Sequence, residues 1–90
     1  RLSGTDTDKA AEKIIQANSP MLLRIAFHYT YSLPDAEDVV QEAFLRFFSG
    51  KGRVAWDDAE AVKAWLIRMT INRCRDALRT ARRRGTEPLT

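Results

Sequence analysis

Six apolar residues, Ala36, Val39, Val40, Ala43, Phe44 and Phe47, recur at i, i+3, i+4, i+7, i+8 and i+11, with Glu37, Asp38, Gln41, Glu42 and Arg46 between them. That period describes an α-helix with one buried stripe; it does not fit a strand, whose faces alternate every second residue. A helix of this length draws most of its stability from what covers the stripe, so the flanking segments must offer apolar faces of their own. The 90 residues are 44% hydrophobic and hold only 4 glycines and 3 prolines, enough for one core and too few breakers for a chain of many turns. The expected fold is all-α, a small bundle of three to four helices.

The flanks supply those faces. Thr5-Asp6-Thr7-Asp8 offers capping groups ahead of Ala11, Ile14 and Ile15, which predicts a helix from about Asp6 to Tyr31 with a fault near Pro20. Ser32-Leu33-Pro34 breaks the chain, and Asp35 is predicted to cap the striped helix. Ser49-Gly50-Lys51-Gly52-Arg53 reads as a loop. Asp57 and Glu60 have the spacing of a capping box, with Trp56 placed to staple against Ala61, and a last helix is predicted from about Asp58 to Arg83. On that helix Val62, Trp65, Leu66 and Met69 fall on one side and Ile67, Ile71, Cys74, Leu78 and Ala81 on another. Between them lie Arg68, Asn72, Arg75, Arg79 and Arg82, spaced 4, 3, 4 and 3, a ridge of cations with one amide in it.

Charge divides along the chain. Residues 63–90 carry eight basic and two acidic side chains, residues 1–62 seven basic and ten acidic, which points to two partner surfaces, the basic one suited to a polyanion. A catalytic constellation is not expected. His28 and Cys74 are the only residues of their kinds; Cys74 lies on an apolar face, His28 is expected to be a half-buried packing residue, and neither a metal cluster nor a nucleophile–base pair can be assembled from them. No cofactor and no small-molecule substrate are expected. No apolar run reaches the roughly 18 residues that span a bilayer, and a single cysteine suits a reducing cytoplasm. The ridge, its amide and the nearby tryptophan combine charge, hydrogen bonding and stacking, the combination that binds unpaired DNA. Trp65 shares a core stripe, and Trp56 is either a helix staple or an aromatic wall for a base.

Asp35-Ala36-Glu37-Asp38-Val39-Val40-Gln41-Glu42-Ala43-Phe44-Leu45-Arg46, followed about twenty residues on by Ala64-Trp65-Leu66-Ile67-Arg68-Met69-Thr70-Ile71-Asn72-Arg73-Cys74-Arg75-Asp76, resembles region two of bacterial sigma factors of the extracytoplasmic-function type. The resemblance covers nearly the whole chain. It implies that the acidic helix docks on the clamp helices of the β′ subunit of RNA polymerase, through Asp38, Gln41 and Glu42. It implies too that the loop and last helix hold the non-template strand of the minus-ten promoter element as it melts. A flipped base would then lie in a loop pocket near Trp56, where many relatives carry phenylalanine, and Asn72 would read a base. An anti-sigma protein covering these surfaces is a further partner typical of the family.

Residues 1–84 are expected to form the domain and 85–90 to begin a linker. The helix-turn-helix region of a complete factor is not in the sequence, so the chain is expected to bind polymerase and melted DNA without selecting a promoter unaided. Two rival readings remain at this point: a helical regulator reading duplex DNA through its last helix, which calls for a tight turn before that helix, and a protein-binding adaptor whose arginines are a solvated face.

Overall fold

The computed structural model describes residues 4–51 and 53–83, with the side chains of 8–50 and 53–80. They form three helices, α1 (Gly4–Thr30), α2 (Leu33–Arg46) and α3 (Ala59–Arg83), each packed on the other two, and no strand is present among them. The all-α bundle is therefore as expected. The proposed linker, 85–90, lies outside the described residues.

Helix α1 runs unbroken through Pro20, where a fault was expected. Pro20 has no N–H for the Gln16 carbonyl, a loss that breaks many helices. Here Ile14, Asn18, Leu22 and Ala26 are all buried on one line at four-residue steps, so packing on both sides of the proline holds the two halves in register. Asn18 belongs to that line because its side-chain amide donates to the Ile14 carbonyl at 2.8 Å, which satisfies the buried group locally. His28 lies about 200° around the helix from Ala26 and is exposed, not half-buried as expected. Just past the end of the helix Tyr31 is held at φ 54°, its N–H donating to the Phe27 carbonyl at 2.8 Å.

Both later caps differ from expectation by a few residues. Ser32, not Asp35, caps α2: its hydroxyl accepts from the Asp35 N–H at 3.4 Å, and Pro34 sits in the first turn, where a missing N–H is harmless. Asp58, not Asp57, caps α3 through a 3.1 Å bond from the Ala61 N–H. Glu60 is thereby one residue too early for a capping box. Between these helices Phe47–Lys51 form a wider π-type turn, and Gly50, at φ 96°, takes the left-handed conformation that ends it.

The core joins Leu22 and Ala26 of α1, Ala36, Val39, Val40, Ala43 and Phe44 of α2, and Val62, Leu66 and Cys74 of α3, with Phe47 beneath the turn. Ala26, Ala36 and Ala43 have no exposed surface, and small side chains of this kind let helices approach closely. The buried line of α3 is Val62, Leu66, Thr70 and Cys74, again in steps of four. The two apolar sides predicted for this helix are thus the shoulders of one seam, whose centre includes a threonine whose Oγ1 has no hydrogen-bond partner. Leu78, on the second of those sides, is 43% exposed, and the Ala81 side chain lies outside the described residues.

Candidate functional site

Burying Ala36, Val39, Val40, Ala43 and Phe44 turns the intervening residues of α2 outward. Asp38 and Gln41 are exposed and Glu42 is half-buried. All three border a groove of about 600 Å³ between α2 and α3, whose far wall is Arg73, Ala77 and Leu78. The Arg46 Nε donates to Glu42 Oε2 at 2.7 Å. That hydrogen bond holds the Glu42 carboxyl below its ordinary range; partial burial opposes it, and the charges of Arg46 and Arg73 add to it. A lowered carboxylate pKa means that the pair stabilises the fold at neutral pH and loses its effect as pH falls through the lowered value.

Two residues of this groove were not singled out from the sequence. Leu45 is 62% exposed on the crest of α2, and it borders the groove beside the carboxylates. Its signal was present as a large apolar residue set among the polar positions 41, 42 and 46, off the predicted stripe. Arg73 turns its Nε into a buried position with no partner among the described residues, about 140° around the helix from Arg68 and so turned away from the ridge. Spacing leaves it off the ridge, and from the sequence it counts only among the basic residues of 63–90.

The basic ridge of α3 is assembled as the periodicity requires. Arg68, Asn72, Arg75 and Arg79 are all exposed, and at about 100° per residue they stand roughly half a turn from the Val62–Cys74 seam. Arg79 Nη1 pairs with Asp76 Oδ1 at 3.2 Å, whereas Arg68 and Arg75 make no ion pair among the described residues. The Arg82 side chain lies outside the described residues.

Trp56 precedes the α3 cap by two positions rather than the one a staple requires. Its ring packs on Phe47 and Phe48, with centroids 6.0 and 5.2 Å away. It is half-buried and also borders a pocket of about 350 Å³ with Asn18, Lys13 and Lys63. Trp65, as expected, joins the same aromatic cluster, 5.4 Å from Phe47. Cys74 is fully buried, and burial pushes its thiol pKa up against the pull of Arg73, so the thiol stays protonated and inert. No helix of the described residues is long and apolar enough to cross a membrane.

The family model for sigma-70 region 2 matches residues 14–84. Two curated proteins, each described as ECF RNA polymerase sigma factor SigM and coming from two strains of Mycobacterium tuberculosis, are 34% identical over 80 residues, which cover 89% of this chain and 40% of the relative. The chain thus spans well under half the length of those relatives. No solved structure matches it.

Proposed function

The chain belongs to the sigma-70 family, as a region 2 domain of the extracytoplasmic-function type, and from that membership we propose that it joins core RNA polymerase to melted promoter DNA during transcription initiation. The acidic groove beside α2 docks the clamp helices of the β′ subunit through Asp38, Gln41 and Glu42. The ridge of α3 holds the non-template strand of the minus-ten element, with Asn72 reading a base and the pocket beside Trp56 taking a flipped one. Both partners place its action in the cytoplasm. An anti-sigma protein covering either face would keep it inactive. The observation that carries this reading is the separation of charge: carboxylates of α2 border one groove, while the exposed cations of α3 face away from the bundle. It is a binding module, without chemistry of its own. The duplex-reading alternative is not favoured, because α2 and α3 are joined by residues 47–58, far longer than the three or four residues of a helix-turn-helix.

Charge reversal tests the docking face. Asp38→Lys and Glu42→Lys should each lower recovery of the chain on immobilised core polymerase while leaving its helical circular dichroism intact. Asp38 is the cleaner position, because it has no ion pair among the described residues, whereas a lysine at 42 would face Arg46. Recovery unchanged in both variants would withdraw the assignment.

Base reading is tested by titrating single-stranded oligonucleotides varied one base at a time. Asn72→Ala should lose about 1–3 kcal/mol for the preferred base and less for the others, because an amide both donates and accepts at a base edge. Trp56→Ala should lose a similar roughly 1–3 kcal/mol on single strands, and less on duplex. Variants that melt early yet keep the wild-type base preference would make both residues structural.

A further inference from the structure

Ala64, Ile67, Arg68, Ile71 and Asn72 border a shallow hollow of about 400 Å³ on the surface of α3. Ile67 is half-buried and leans on the core cluster; Ile71 is half-buried. On the helical wheel Ala64, Ile67 and Ile71 form a strip between the buried seam and the basic ridge. The part of this strip that core packing leaves open borders the ridge, and phosphates, which are met by cations and polar groups, would not occupy it. Among the DNA bases the one apolar substituent is the 5-methyl group of thymine. An apolar hollow with an amide at one edge and a guanidinium beside it therefore matches one nucleotide by chemistry.

We propose that this hollow takes the 5-methyl group of an unpaired thymine, with Ile67 and Ile71 against the methyl, Asn72 on the polar edge of the base and Arg68 on a neighbouring phosphate. The inference rests on the strand-capture reading of α3 and adds to it the identity of one base. Charge supports the occupant: Arg68 and Arg75 are exposed without ion pairs among the described residues, a setting suited to a strand whose backbone is a polyanion.

The test is a fluorescence-anisotropy titration of the chain with single strands carrying one thymine, moved along an otherwise thymine-free sequence. At each position the thymine is then replaced by deoxyuridine, which removes the methyl and nothing else. At one position thymine should bind about fourfold more tightly than deoxyuridine, the effect of burying one methyl group. At the same position 5-methylcytosine should exceed cytosine in the same sense. Ile71→Ala should bind the two strands alike. Salt-dependent binding that is indifferent to the methyl at every position would overturn this inference and leave the strand-capture reading standing. A methyl effect that survives in Ile71→Ala would overturn it as well. Failure to bind any single strand at low salt would overturn both.

Discussion

Phe47→Ala is expected to remove about 3–5 kcal/mol of folding stability, the range for emptying a large aromatic site in a packed core. Phe47 is 1% exposed, and its ring lies 5.3 Å from Phe48, 6.0 Å from Trp56 and 5.4 Å from Trp65. It is the hub through which the end of α2, the connecting loop and the start of α3 touch. A domain of this size holds about 5–15 kcal/mol in total, so the loss should lower the melting temperature by roughly 12–40 °C at about 4–8 °C per kcal/mol. The variant should also lose near-ultraviolet dichroism from both tryptophans, because each packs on the deleted ring. A denaturant titration showing a loss under about 1 kcal/mol would mean that Phe48 and Trp65 collapse into the space, the relaxation that makes such costs vary between sites. It would also mean that the placement of Trp56 does not depend on Phe47.

Raising salt from 50 to 200 mM should weaken single-strand binding by about 50-fold if four arginines each neutralise a phosphate, from a slope of about −0.7 per contact. The four are Arg68, Arg75, Arg79 and, by its place in the sequence pattern, Arg82. Each Arg→Ala should make the slope shallower by about 0.7 and weaken all sequences alike, because phosphate contacts carry no sequence information. Arg79 should matter least, because it already shares its charge with Asp76 at 3.2 Å. Affinity that does not change with salt would identify the ridge as a solvated face and favour a protein-binding adaptor.

The helical stripe 36–47 and the ridge 68–82 are legible in the sequence because each is a repeat along one helix, and side-chain direction on a helix follows from residue number alone. The caps of α2 and α3 were displaced from expectation because several neighbouring residues can cap equally well. Ser32 and Asp35, or Asp57 and Asp58, differ little in intrinsic preference, and the choice falls to the turn that lets the stripe reach the core. Trp56 was undecided for a similar reason, since its ring is placed by Phe47 and Phe48 from the preceding turn and not by its own helix.

By itself the sequence determined the helical class, the apolar stripe of α2, the outward ridge of α3 and the acidic and basic division of the chain, all of which follow from periodicity and charge within single segments. Tertiary structure alone decided what lies between segments. It kept α1 continuous through Pro20 and buried Thr70 at the centre of the α3 seam, because tertiary packing outweighs the local cost of a proline or a hydroxyl. It also brought Arg73 across to the carboxylates of α2 and left Leu45 exposed at the groove. Those placements depend on how two helices are set against each other, a relation no spacing within either one encodes.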